Sequence, residues 1–223
     1  MPLLRAFRIA KSHAGAPVIA DASLSLRAGT VTLLSAPSGT GKSTLLEILA
    51  GVQDPDRGTV ERKAPASLMF QDNALIPWLG AAANLAYILP PSLPAAEREE
   101  RISRFLEIFE LAGKTRPPAM SSGMKRRLGL ARAFAADRAI TLLDEPFAFL
   151  DDRWRRAAAS LIRGKAEAGG AVALAGHQAD PALLDSCPDL LRVLELGPAP
   201  VRLADPEARG EGGGAPDDGA EPS

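Results

Sequence analysis

Residues 36–44 read Ala-Pro-Ser-Gly-Thr-Gly-Lys-Ser-Thr. They stand between a continuous apolar run, Val31 to Ser35, and a segment from Lys42 that reads as a helix ending at Gly51. A buried strand, a glycine-rich turn and a helix in that order leave few folds open. Gly39 and Gly41 let the backbone wrap so that successive N–H groups converge on phosphate oxygens. The N-terminal end of the following helix adds a partial positive charge. Pro37, Ser38, Gly39, Thr40, Gly41, Lys42, Ser43 and Thr44 are therefore the candidate phosphate-binding residues. Lys42 is suited to reach the β- and γ-phosphates, and the Ser43 hydroxyl to ligate Mg²⁺. Ala36 occupies the place of the first glycine of such a loop, which a methyl group tolerates if φ is negative there.

The rest of the chain supplies the sheet around this turn. Leu3 to Ile9, Ala22 to Leu26, Ala66 to Phe70, Ala139 to Leu143, Ala171 to Ala175 and Leu190 to Leu196 have the length and apolar content of strands. Gly80 to Leu89, Ala95 to Leu111, Ser121 to Ala136 and Asp152 to Ala168 read as helices; Ile102, Phe105, Leu106 and Phe109 share one face of the second. Strand and helix, a block of helices, then strand and helix again predict a mainly parallel α/β core with a helical subdomain inserted at about residues 72–137. The folded domain is expected over residues 1–204, and a disordered Gly/Pro/acidic tail over 205–223. The basic run Lys125 to Arg127 reads as a solvated helix face.

Residues 139–146, Ala-Ile-Thr-Leu-Leu-Asp-Glu-Pro, deliver two adjacent carboxylates at the end of an apolar strand. In doubly wound sheets, ligands sit at that edge. Asp144 is the candidate holder of Mg²⁺, and Glu145 the candidate general base that polarises an attacking water. With the loop at 36–44, this pair points to a P-loop NTPase.

The stretch between and beyond these motifs resembles the ATPase subunits of ABC transporters. Met120-Ser121-Ser122-Gly123-Met124 is similar to that family's signature, and Leu130-Ala131-Arg132-Ala133 follows it. Gln71 falls at the Q-loop, Phe149-Leu150-Asp151 at the D-loop, and His177 at the switch histidine. His13 falls where the family often has an aromatic residue stacked on adenine. The resemblance spans residues 3–196 and implies a P-loop NTPase core, a small antiparallel β-subdomain and the inserted helical subdomain. It also implies ATP and Mg²⁺ as ligands. Gln71 would contact the metal and the attacking water; His177 would hold the γ-phosphate and orient Glu145. Ser121 and the Gly123 backbone would grip a γ-phosphate bound to a second subunit, and Asp151 would cross the interface of that dimer. Ser122 and Met124 depart from the usual signature, and the segment between Gly58 and Gln71 is short for the family.

The run Phe70 to Leu79 is similar to importer ATPases for nitrate, sulfonates and taurine. The resemblance implies import of a small solute, a transmembrane permease, a second ATPase subunit forming a homodimer, and a solute-binding protein. Trp78 and Leu79 suit either an apolar wall for a permease helix or ordinary core. Two other roles stand beside transport: regulation of a membrane complex, and a non-transport ABC ATPase. Lys plus Arg total 26 against 27 for Asp plus Glu, so charge makes no case for nucleic acid. Cys187 is the only cysteine, which suits a reducing compartment. No leader peptide is read at residues 1–10, and no apolar stretch is long enough to span a bilayer. The expected location is the cytoplasmic face of the inner or plasma membrane, held there by the permease.

Overall fold

The computed structural model describes residues 1–208. In chain order the strands are β1 (Pro2–His13), β2 (Ala16–Arg27), β3 (Thr30–Ser35), β4 (Arg57–Arg62), β5 (Ala66–Met69), β6 (Ile140–Asp144), β7 (Ala171–Gly176), β8 (Leu191–Glu195) and β9 (Val201–Ala204). The helices are α1 (Lys42–Ala50), α2 (Ala81–Ile88), α3 (Ala95–Ile108), α4 (Ser122–Ala135), α5 (Asp152–Glu167) and α6 (Pro181–Ser186).

Five strands form a parallel sheet in the order β5-β6-β7-β3-β8. Successive side chains on a strand point to opposite faces, so both faces are covered and the strands read as unbroken apolar runs. Leu34, Ile140, Leu142, Ala173 and Ala175 turn to one face and pack with Leu45, Leu46, Ile48 and Leu49 of α1. Leu33, Leu143, Val172 and Leu174 turn to the other, against α4, α5 and the α2–α3 pair. The four-stranded sheet β4-β1-β2-β9 closes over the far side of α1. Its β1–β2 and β1–β4 pairs are antiparallel, while β9 runs parallel to β2.

The helix ends follow their sequence signals. Gly51 terminates α1 in the left-handed conformation at φ 81°. Ser121 and Asp151 cap α4 and α5, accepting from the N–H groups of Met124 at 3.2 Å and Trp154 at 3.1 Å. The α/β fold class, with a parallel core sheet and a second, largely antiparallel sheet, agrees with the expectation. Three elements carried too weak a pattern to be anticipated. β4 is a mostly exposed edge strand, β9 has four residues, and α6 has six. The short segment after Gly58 still supplies most of β4.

The boundary expected at residue 205 is corrected. Asp205 is 2% exposed and belongs to the fold. Its carboxylate accepts from the N–H groups of Ser25 at 3.0 Å and Glu207 at 2.9 Å and pairs with Arg192. Glu207 adds ion pairs to Arg27 and Arg192. The chain thus stays on β2 to Ala208, because a polar residue here satisfies buried donors. The remainder of the expected tail, 209–223, lies outside the described residues.

Burial alone would raise the Asp205 pKa; Arg192 and the two backbone donors outweigh it and hold the carboxyl below its ordinary range. An acid whose pKa is lowered by folding stabilises the native state above its unfolded pKa and loses that contribution as pH falls. Asp205→Ala should therefore cost about 3 kcal/mol at neutral pH. Urea unfolding of both proteins should show this gap closing below about pH 4.

Candidate functional site

The loop at 36–44 leaves the C-terminal end of β3, and its shape depends on two glycines. Gly39 and Gly41 have φ of 76° and 103°, a region costly for any other residue. Gly41 has a second reason to lack a side chain: a Cβ there would lie 2.6 Å from Val18 Cγ1 on β2. Ala36 is not among the positive-φ residues, so the methyl group is accommodated. Its N–H donates to the Gly176 carbonyl at 3.1 Å, tying the loop to the end of β7. Lys42 is 5% exposed, and its ammonium donates to the carbonyls of Ala36 and Pro37, each at 2.8 Å. The cation is thereby aimed across the loop it serves. Thr40 braces the turn by donating to the Pro37 carbonyl at 2.6 Å.

β6 and β7 bring the remaining groups to the same edge. Asp144 is 3% exposed and lines one cleft with Ser43. Burial drives its carboxyl pKa up; the Ser43 hydroxyl, Lys42 and Arg126 oppose that, while Glu145 adds to it. Glu145 has φ 49°, and its N–H donates to the Ala175 carbonyl at 3.1 Å. A left-handed glutamate costs about 1 kcal/mol, and Pro146 follows it directly. The bend turns the carboxylate toward His177, whose Nε2 lies 4.0 Å from Glu145 Oε1 and 3.0 Å from Ser38 Oγ. Ser35 Oγ donates to the His177 carbonyl at 2.8 Å, which holds that histidine beside β3.

Gln71 lines a cleft of about 340 Å³ together with Ser43, Glu47, Asp72 and Asp144. These are hard oxygen donors, the set that suits Mg²⁺. Among the described residues no group of three or more His, Cys, Asp or Glu side chains could hold a metal ion. A few protein oxygens beside a phosphate loop fit a cation that takes its other ligands from substrate and water. His13 lies at the loop's far side, with Nε2 3.3 Å from Thr44 Oγ1.

The structure thus gathers Pro37–Thr44, Gln71, Asp144, Glu145, His177 and His13 at one sheet edge. Ser121, Gly123 and Asp151 are grouped elsewhere. Among the described residues no hydrogen bond joins them to the loop. Gly123 sits against the D-loop instead, where a Cβ would come within 3.0 Å of the Phe149 carbonyl oxygen. Trp78 is 70% exposed, which removes the core reading for it. Neither Trp78 nor Leu79 lines the groove beside the Q-loop; Leu68, Phe70, Tyr87, Gly129 and Arg132 are among the residues that do.

The solvated reading of Lys125–Arg127 is also corrected. Arg126 is 2% exposed and donates to the carbonyls of Gln71 at 3.0 Å and Asp144 at 3.4 Å. Arg127 lies over the Trp154 ring, 4.3 Å from its centroid, and bonds the Phe109 carbonyl. The signal was present: Arg126 precedes the buried Leu130 by four residues, on the same face of α4.

A family model described as ABC transporter matches residues 19–148. The chain is 40% identical over 164 residues to the taurine import ATP-binding protein TauB of Pseudomonas entomophila (strain L48), a match covering 68% of this chain and 63% of that protein. It thus spans less than two thirds of that relative's length. With the TauB of Chromobacterium violaceum it shares 36% over 217 residues, or 91% of this chain and 82% of that one. Among solved structures, a dimeric ATP-binding cassette in a post-hydrolysis state with ADP and Pi superposes with a TM-score of 0.73 at 22% identity, over 86% of this chain and 93% of that chain. That last likeness is one of fold. With the family match running from β2 through the loop, the signature helix and the carboxylate pair, the chain belongs to the ABC transporter family, as one of its ATP-binding cassettes.

Proposed function

We propose that the chain binds Mg-ATP and hydrolyses it between two copies of itself, driving import of a small solute through a partner permease. One observation carries the reading: Glu145 and His177 stand 4.0 Å apart, and His177 reaches Ser38 of the phosphate loop at 3.0 Å. A general base, a phosphate-sensing imidazole and a phosphate cradle therefore share one edge of the sheet.

In this reading the triphosphate lies in the Pro37–Thr44 loop, and the Lys42 ammonium turns from its carbonyls to the β- and γ-phosphates. Glu145 accepts a proton from water as the water oxygen attacks the γ-phosphorus. The bond from that phosphorus to the β-phosphate oxygen breaks, and ADP and inorganic phosphate result. His177 holds the γ-phosphate and keeps Glu145 oriented. Ser43, Asp144 and Gln71 would hold Mg²⁺, which when bound neutralises charge on the phosphate oxygens. His13 flanks the adenine side of the loop. Ser121, the Gly123 backbone and Asp151 serve the nucleotide of the facing copy. ATP then favours the closed dimer, and hydrolysis releases it.

The import reading draws on the relatives, which are named for taurine import. Among the described residues no helix is long and apolar enough to cross a membrane. In this reading translocation falls to a separate permease. The groove of about 270 Å³ between β5 and α4, lined by Leu68, Tyr87 and Arg132, is the seat proposed for its helix. A solute-binding protein would complete the importer at the cytoplasmic face of the membrane.

Glu145→Gln should bind ATP normally and lose about 10²- to 10⁴-fold in turnover. Phosphate release and fluorescent-nucleotide titration check both halves, and unchanged turnover would remove Glu145 from its role. In the same background ATP should convert the chain to a dimer in light scattering. Adding Ser121→Arg should abolish the dimer while leaving nucleotide affinity of the monomer within about twofold, since Ser121 is exposed and makes no hydrogen bond to its own chain's loop at 36–44.

A further inference from the structure

Arg126 is the largest fully buried side chain of the described residues and the least explained by packing alone. Burying a guanidinium is costly unless its charge and donors are answered. No carboxylate of the described residues forms an ion pair with it within 4.0 Å, and its Nε has no partner. Its hydrogen bonds go to two main-chain carbonyls only. Nη2 donates to Gln71 at 3.0 Å and Nη1 to Asp144 at 3.4 Å. Those carbonyls belong to segments far apart in sequence: the Q-loop after β5 and the end of β6. Three acidic groups, Glu145, Asp144 and Asp72, act on the buried cation by their field rather than by contact. A planar fork that joins two carbonyls has a geometric role that a packing residue of similar volume would lack.

We propose that Arg126 is a positioning residue of the hydrolytic site. From α4 its guanidinium fixes the Gln71 main chain to the Asp144 main chain and so sets where the Gln71 side chain stands relative to the carboxylate pair. The inference rests on the ATPase reading above and deepens it. Arg126 touches neither nucleotide nor metal in this scheme; it acts through Gln71. Its removal should therefore weaken the chemical step and leave nucleotide binding alone. Arginine and lysine are not equivalent here, because an ammonium on a flexible stem keeps the charge but cannot span both carbonyls in one plane.

The test uses the full chain with Arg126→Met, Arg126→Lys, Gln71→Ala and the Arg126→Met/Gln71→Ala pair. ATP affinity is measured by fluorescent-nucleotide titration, turnover by phosphate release, and folding by thermal melting. Arg126→Met should keep KM and ATP affinity within about threefold and lose about 10-fold or more in kcat, the signature of an interaction that matters in the transition state. Arg126→Lys should melt near the parent and recover only part of kcat. In the Gln71→Ala background, Arg126→Met should have less than half its effect on log kcat, as for two residues acting as a unit. Additive losses overturn the proposal, as does a parental kcat in Arg126→Lys, or a loss confined to KM. Failure of both single variants to fold would mark Arg126 as a core residue and overturn it as well. A parent chain without ATPase activity, or Glu145→Gln at the parental rate, would instead sink the ATPase reading, which the same assays show separately.

Discussion

Leu45, Leu46, Ile48 and Leu49 of α1 are all fully buried, because the helix lies between two sheets. That clamp is the constraint on which the site depends. α1 starts at Lys42, so any tilt of the helix would displace the ammonium and the loop before it. The antiparallel sheet fixes the helix from the side opposite the core. Val18 of β2 reaches the Gly41 backbone so closely that no side chain fits between them. The loop at 36–44 is therefore not a free turn but a seam between sheets.

The same edge concentrates charge that would be unfavourable anywhere else. Asp144 is buried beside Glu145, and its pKa is raised by burial. Lys42 and Arg126 lie on the other side of the balance, and both spend their donors on main-chain carbonyls rather than on the carboxylates. Neither cation pairs directly with the carboxylates, which in the proposed function leaves their oxygens to a metal ion and a water molecule. The left-handed Glu145 belongs to the same pattern. Local strain of about 1–3 kcal/mol persists where the surroundings over-determine it, here through the Ala175 carbonyl and Pro146.

Legibility in the sequence followed the range of each interaction. The loop at 36–44, the carboxylate pair and the cap at Ser121 are each runs of neighbouring residues, so their spacing is visible in a string. The parallel strands were legible because burial on both faces makes them continuously apolar. β4 and β9 were not, since an exposed edge strand and a four-residue strand take their order from long-range pairing with β1 and β2. Asp205 was lost for a related reason: it reads as one more acid before a Gly/Pro-rich stretch, and only Arg192 and the N–H of Ser25 reveal its burial. Arg126 and Arg127 were masked by a rule of thumb. Three basic residues in succession suggest a wet surface, and helical periodicity alone would have divided them between faces.

That division gives the N-terminal half of α4 two sides with different duties. Arg126 lies five positions after the Ser121 cap, which amounts to about 7.5 Å of rise and about 140° of rotation. Ser121 accordingly faces outward, exposed, while Arg126 points inward to Gln71 and Asp144. The helix is stiff over this distance, so the two groups cannot move independently. If Ser121 meets a facing nucleotide as proposed, a shift of α4 there would also act on the main chain behind Gln71. Conversely, a movement of the Q-loop would reach the N-terminal part of the helix through the same guanidinium. Coupling of this kind would need no long pathway: one buried guanidinium joins two segments, and one helix links it to the outer surface.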